Sequence, residues 1–269
     1  MKKLRLGRFA LPLYSVIALV YLLIPIVYTI AFSFNNSQGR TNTIWQGFTL
    51  DKWMNVCARP DVCASVGTSL LISTVSTLVA TVLGTAVAIA LVRYSFKGRS
   101  LVSLSLFLPM ATPEVVMGAG LAALFFNLNF GQGYLTVILA HIMFCLSFVV
   151  VTVKARVQTL DPVLEEAGAD LYASPRQVFW RITFPLLVPG IVSGALLSFV
   201  LSFDDFIITY FNAGGALVTF PMFIYVAAAK GVPAEVNVIA SMVFLLALVI
   251  VIGTQVASNI RQKRLNTLK

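Results

Sequence analysis

Long apolar runs separated by short polar stretches dominate the chain, and six of them are long enough to cross about 30 Å of hydrocarbon as helices. They fall at Leu11 to Phe32, Val66 to Val92, Leu101 to Phe126, Tyr134 to Val153, Leu187 to about Tyr210, and Val236 to Ala257. Strand-type alternation, the mark of an outer-membrane barrel, is absent. The pattern predicts an all-α polytopic membrane protein with about six transmembrane helices, a single transmembrane domain over residues 1–269. The first run is too long for a removed signal peptide and lacks a small-residue cleavage site, so it reads as a retained span. In the third run, Pro109 and Pro113 predict a bend or break near the middle.

The polar stretch at about residues 154–185 is unlike the other connections. Asp161 followed by Pro162 reads as an N-cap with proline at the first helical position, opening a short helix through about Leu171. Ser174, Pro175 and Gln177 then read as a capping box that opens a second helix, which Pro185 is expected to end. The two helices meet at a bend near Tyr172 and Ala173, surrounded by Lys154, Arg156, Arg176 and Arg181. Such a doubly capped segment, a compact knob between two spans, looks like a socket for another protein.

Composition removes the soluble alternatives. Hydrophobic residues make up 59% of the chain and charged residues 11%, and the mean hydropathy is +0.92. Of the 19 lysines and arginines, all but Arg40, Lys52, Arg59 and Lys230 sit at the N-terminus, between spans two and three, in the knob, or at the C-terminus. Basic residues near span ends accumulate on the cytoplasmic side, so both termini and the knob are expected there. The net charge of +9 is mostly this orientation signal, with some attraction to anionic membrane lipid, and gives no support to nucleic-acid binding.

Candidate chemistry is sparse. Cys57 and Cys63 lie close together in the first segment expected outside, where they are either a disulfide or two free thiols. Cys145 falls in an apolar span and reads as packing, and His141, the one histidine, reads as a satisfied core residue. A bis-histidine haem is therefore not available within this chain. No G-x-x-x-x-G-K-[ST], H-E-x-x-H, G-x-S-x-G or C-x-x-C occurs, so the chain reads as a non-enzyme without its own cofactor. The residues from Asn35 to Asp61 and the two tails resemble linkers.

Three of the ten acidic residues, Glu114, Asp204 and Asp205, fall inside the expected spans, with no obvious cationic partner there. A charged carboxylate in a span must face a wet cavity, be protonated, or be paired by something outside the chain. Glu114 either lines a pathway or caps the half-helix that starts at Pro113. Adjacent residues on a helix point about 100° apart, so one aspartate is expected to face the pathway and the other to contact a partner chain or a structural network. Phe203, Phe206, Tyr210 and Phe211 form a stripe that either packs or lines a cavity, and Tyr225 and Tyr134 are weaker cavity candidates.

The stretch from Glu166 to Pro185, EAGADLYASPRQVFWRITFP, resembles the E-A-A, three residues, G, nine residues, I-x-L-P loop of the membrane permease subunits of bacterial ABC importers. Glu166, Ala167, Ile182 and Pro185 match; Gly168, Tyr172 and Phe184 stand where that family usually has alanine, glycine and leucine. Glycine would permit positive φ at the bend, so with Tyr172 present the turn is expected at Ala173 or by other means. The segments LSFDDFIITYFNAGGALVTFPM and LPMATPEVVMG make the chain most similar to the second permease subunit of spermidine/putrescine importers, over nearly its whole length. The resemblance implies a related permease as partner, a cytosolic ATPase dimer holding ATP and Mg, an external substrate-binding protein, and residence in the bacterial inner or plasma membrane. It also implies alternating access driven through the knob. Coupling would fall to Glu165, Glu166, Ala167, Gly168, Asp170, Tyr172 and Ser174, with Glu166 foremost and a local salt bridge to a knob arginine as its rival role.

For a polyamine, ammonium groups on methylene spacers suit carboxylates flanked by aromatic rings, which brings Glu114, Asp204, Asp205, Phe203 and Tyr210 together as the substrate pathway. Three alternatives stay open. One is the same importer type with another cargo, such as thiamine, iron or an organic cation. Another is a stand-alone proton-coupled secondary transporter, for which the knob has no use. The last is a structural subunit of a larger membrane complex, which would tolerate neutral residues at all three acids.

Overall fold

The computed structural model describes the backbone of residues 6–39, 41–215 and 217–266, and side chains within 11–253 except at positions 40, 216, 250 and 251. In chain order the helices are α1 (Leu6–Phe32), α2 (Asp51–Met54), α3 (Pro60–Arg93), α4 (Arg99–Ala111), α5 (Glu114–Asn127), α6 (Tyr134–Gln158), α7 (Val163–Asp170), α8 (Pro175–Val178), α9 (Phe184–Asp204), α10 (Ile207–Asn212), α11 (Phe220–Lys230) and α12 (Ala234–Asn266). No strand is present among the described residues, in line with the all-α expectation.

Length and hydropathy identify four helical spans among the described residues: Leu11–Phe32, Pro60–Arg93, Tyr134–Gln158 and Pro175–Asp204. The pair α4 and α5, bent by 111°, makes a fifth if counted as one broken span. The expected sixth, Val236 to Ala257, falls on α12, where the stretch Ala234–Val249 is apolar and the side chains from 254 onward lie outside the described residues.

The chain divides into two compact units. Unit one comprises residues 1–63 and 224–269 and packs α1 on α12. The segment after α1 is more ordered than its polar sequence led us to expect, because two asparagines satisfy its backbone. Asn35 Nδ2 donates to Asn42 Oδ1 (2.7 Å) and to the Ile44 carbonyl (2.8 Å), and its Oδ1 accepts from the Gln46 amide (2.7 Å). Phe34 stacks between Phe48 and Trp53, and Lys52 pairs with the buried Glu235 at 3.0 Å.

Cys57 and Cys63 are joined as a disulfide, with Cα atoms 5.5 Å apart, in the usual range. Cys145 is free and fully buried. A thiol count under denaturing, non-reducing conditions is therefore expected to give one reactive cysteine per chain; a count of three would contradict the bridge.

Unit two, residues 64–223, is built on α6, whose Val149, Val150, Val153 and Val157 form the core with Ala88 and Leu91 of α3 and Leu187 of α9. Lipid provides no hydrophobic drive for helices to associate, so close approach at small residues matters. A Cβ at Gly190 of α9 would lie 2.5 Å from Arg156 Cβ, and one at Gly84 of α3 would lie 2.9 Å from Val149 Cβ. Substitution at either requires the helices to separate.

Candidate functional site

Both interruptions of the apolar spans carry acids. Pro113 cannot donate its amide and disfavours helix at Thr112, so α4 ends at Ala111, while Pro109 is accommodated inside α4. The expected break near the middle of the third run is thus placed at Thr112 and Pro113. Glu114 is the first residue of α5, exposed, and free of ion pairs among the described residues. It sits where the helix dipole favours a carboxylate, so its capping and pathway roles are compatible.

The fifth run does not continue as one helix through Tyr210. α9 stops at Asp204, Asp205 is extended (φ −65°, ψ 128°), and α10 starts at Ile207. The 100° helical separation expected for the aspartates therefore does not apply; the break itself turns them apart. Asp205 is buried and closes the N-terminus of α10: its Oδ1 accepts from the Ile208 amide (3.2 Å), and its Oδ2 from the Thr209 amide (2.8 Å) and Thr209 Oγ1 (2.9 Å).

His141 of α6 completes that arrangement. Its Nε2 lies 3.4 Å from Asp205 Oδ2 and 2.9 Å from Thr209 Oγ1, and its Nδ1 lies 2.7 Å from Ser202 Oγ. Both ring nitrogens are satisfied at 1% exposure, as expected of a core histidine. Of the alternatives for the pair, Asp205 takes the structural network: it has partners inside the chain, which the sequence alone did not reveal, and its carboxylate is turned to the core.

Asp204 is left as the aspartate of the pair that faces outward, exposed and without an ion pair among the described residues. The aromatic stripe is divided by the same break. Phe203, half-buried, stacks on Phe199 at 5.9 Å. Tyr210, 59% exposed, contacts Phe206 (5.4 Å) and Phe211 (6.0 Å) from the other side. Tyr134 and Tyr225 are also exposed. The half-helices that follow the two breaks are in contact: Asn212 Nδ2 of α10 donates to the Gly118 carbonyl of α5 (3.2 Å). A Cβ on Gly118 would lie 3.3 Å from Ile208 Cα. Two acid-bearing breaks leading into one packed helix pair is an arrangement suited to a solute site.

The knob forms largely as its capping residues dictate. Asp161 Oδ1 accepts from the Val163 amide (3.0 Å) at the start of α7. Ser174 Oγ accepts from the Gln177 amide (3.4 Å), and Gln177 Oε1 accepts from the Ser174 amide (2.8 Å), a complete capping box at α8. Pro185 does not end the second helix. A π-turn at Phe179–Thr183 intervenes, with Pro185 in the first turn of α9, so the helical run from Pro175 to Asp204 is unbroken. The wider turn shifts the hydrogen-bond register by one residue and makes room for a ring that an ideal α-helix would reject.

The bend is made by Tyr172 itself, at φ +58°, and not at Ala173. The Tyr172 amide donates to the Ala169 carbonyl (2.9 Å) and the Ala173 amide to the Gly168 carbonyl (3.2 Å). That pair of bonds closes a helix end which normally has glycine at this position. For tyrosine the left-handed conformation costs about 1–2 kcal/mol. Gly168 is buried, and a Cβ there would come within 2.6 Å of Ile182 Cδ1, so α7 packs closely on the π-turn.

Glu165 is engaged inside the chain: it pairs with Arg93 Nη2 of α3 (2.9 Å) and accepts from Thr183 Oγ1 (3.0 Å). Sequence reasoning missed Arg93, which lies 72 residues away, because no local pattern links it to the knob. Glu166, Ala167, Asp170 and Ser174 are exposed. Glu166 makes no salt bridge to a knob arginine among the described residues.

Residues 80–265 match the family model described as the binding-protein-dependent transport system inner membrane component. The chain is 38% identical over 244 residues, covering 90% of it and 91% of the relative, to the spermidine/putrescine transport system permease protein PotC of Escherichia coli (strain K12). It is 36% identical over 231 residues, covering 83% and 81%, to the putrescine transport system permease protein PotI of the same strain. Among solved structures, a bacterial ABC transporter involved in import of the acidic polysaccharide alginate superposes with a TM-score of 0.67 at 16% identity, covering 96% of this chain and 99% of that one. The MetNI methionine ABC transporter follows at 0.59 and 18%, covering 76% and 98%. At these identities the superpositions speak for the fold alone.

Proposed function

Because the chain belongs to the family of binding-protein-dependent transport system inner membrane components, and is therefore a non-catalytic, multi-pass permease subunit of an ATP-driven importer, we propose that its cargo is a polyamine. The two curated relatives above carry spermidine/putrescine and putrescine in their names. The observation in this chain that carries the reading is Asp204, an exposed carboxylate at the end of a broken apolar span, without an ion pair among the described residues. Glu114 at the second break gives a further anionic position, and Tyr210 and Phe203 offer aromatic surface to methylene spacers.

In this account a second, homologous permease completes the pathway and an external binding protein delivers the substrate. The bias of basic residues supports a cytoplasmic side for both termini and the knob, where the knob would meet an ATPase dimer that supplies ATP and Mg. Closure of the ATPases, transmitted through α7 and α8, opens the cavity outward. The tie from Glu165 to Arg93 connects the knob to α3, so a push on α7 has a rigid route into the spans.

The test is uptake of radiolabelled spermidine into proteoliposomes holding this chain with its partner permease, ATPase and binding protein. We expect uptake that requires ATP and is competed by unlabelled putrescine but not by thiamine. ATP-dependent uptake of thiamine in place of spermidine would overturn the cargo. Uptake by this chain alone, driven by a proton gradient, would overturn the importer reading for a secondary transporter.

A further inference from the structure

Within unit two, α3, α4 and α6 enclose a groove of about 240 Å³. It is lined by Leu106 and Phe107 of α4, Val150 and Val151 of α6, and Leu91 of α3, with Ser103, Lys154 and Gln158 as its polar members. Lys154 lies about one turn before the end of the α6 span at Gln158. The groove is therefore at the depth where the chain leaves hydrocarbon for the headgroups, on the side of the membrane that carries the knob.

The charges around it have one sign. Lys154 is half-buried and makes no ion pair among the described residues. No acidic residue occurs between Asp61 and Glu114, or between Glu114 and Asp161, so α4 and α6 carry none, while the turn into α4 adds Lys97 and Arg99. α4 also starts without a side-chain cap and without an acid in its first turn, so its dipole adds positive potential about one turn from Ser103. A half-buried ammonium beside apolar side chains calls for an anion from outside the chain.

The groove is smaller than the range of about 300–1,000 Å³ usual for small-molecule sites, and a free phosphate would leave its apolar lining uncovered. An acyl chain with an anionic head satisfies both halves. We propose that the groove holds an acidic phospholipid from the leaflet on the knob's side. One chain lies along Leu106, Phe107 and Val151, the phosphate sits on the Lys154 ammonium, and Ser103 and Gln158 donate to its oxygens. Because α4 packs on α6 beside the groove, the bound lipid clamps the first half of the broken span to the core helix, and with it the break at which Glu114 opens α5.

The test is native mass spectrometry of the permease complex in neutral detergent, titrated with phosphatidylglycerol, phosphatidylcholine or glycerol phosphate. The parent should bind one phosphatidylglycerol about tenfold more tightly than phosphatidylcholine, and glycerol phosphate not measurably. Lys154→Gln should bring the two lipids to within about twofold of each other, whereas Lys154→Arg should keep the preference. Leu106→Trp fills the groove and should weaken both lipids by about fivefold or more, with the charge intact. The mass of the intact complex in the same spectra reports assembly of each variant. A phosphatidylglycerol preference that survives in Lys154→Gln would overturn the site. Glycerol phosphate binding as tight as phosphatidylglycerol would overturn the lipid in favour of a soluble anion. Loss of the partner permease from Lys154→Gln, with phosphatidylglycerol still bound, would overturn it in favour of a partner carboxylate. None of these outcomes touches the importer reading.

Discussion

Asp204→Asn is expected to reduce spermidine uptake at low substrate concentration by about ten- to a hundredfold, with the complex assembled and folded as before. The figure follows from a charge-assisted hydrogen bond to an ammonium group, worth about 1.5–3 kcal/mol, each 1.4 kcal/mol being tenfold. Asp204 is exposed at the end of α9 and bonds to no other side chain among the described residues. If Asp204 holds the substrate as proposed, its neutralisation removes substrate binding and little fold. Loss should fall mainly on the apparent affinity, and Glu114→Gln at the other break should behave alike to a smaller degree, since its first-turn position gives it a helix to stabilise as well. Unchanged uptake in both variants would remove the acids from the pathway.

His141→Ala is expected to behave in the opposite manner, lowering stability by about 1–3 kcal/mol, because removing the imidazole leaves buried polar groups with a hydrogen-bond partner missing. Asp205 would keep only the Thr209 and Ile208 donors, and the hydroxyl of Ser202 would lose the imidazole. Asp205→Asn should cost about 1 kcal/mol, since the amide oxygen can still cap α10. The double variant His141→Ala with Asp205→Ala should be less destabilised than the sum of the single alanine variants, the mark of a directly coupled pair. Thermal unfolding of the detergent-solubilised complex reads all of these. Additive losses would show that His141 and Asp205 do not act as a unit.

The contrast between the two aspartates shows what the sequence could and could not convey. Apolar runs report spans directly, because lipid demands hydrophobic length, and α1, α3 and α6 lie where that demand places them. The caps at Asp161 and Ser174 were legible because each acts within three residues. The partners of His141 lie 61 and 68 residues away, and no periodicity connects them. The one local signal at Asp205 is that aspartate is a favoured N-cap residue, masked by the apolar run that continues to Tyr210.

Two readings at the knob failed for a shared reason. Pro185 reads as a stop and tyrosine reads as unable to take positive φ, since both are rare in those settings. The fold accommodates the first with the π-turn at Phe179–Thr183 and retains the second at Tyr172. Such departures depend on tertiary packing or on a partner, neither of which local sequence encodes. Of the expected site residues, Asp204, Glu114, Glu166, Asp170 and Tyr172 are exposed and available, while Asp205 and Glu165 are engaged within the chain.

Import by the proposed route requires coupling between a polyamine-loaded binding protein and ATP hydrolysis through this permease. The measurement that tests it most directly is the ATPase rate of the complex, reconstituted with the partner permease and ATPase, as binding protein is added with and without spermidine. We predict that loaded binding protein raises the rate and that binding protein loaded with an unrelated solute does not. A rate that responds equally to both, or to neither, would contradict the account.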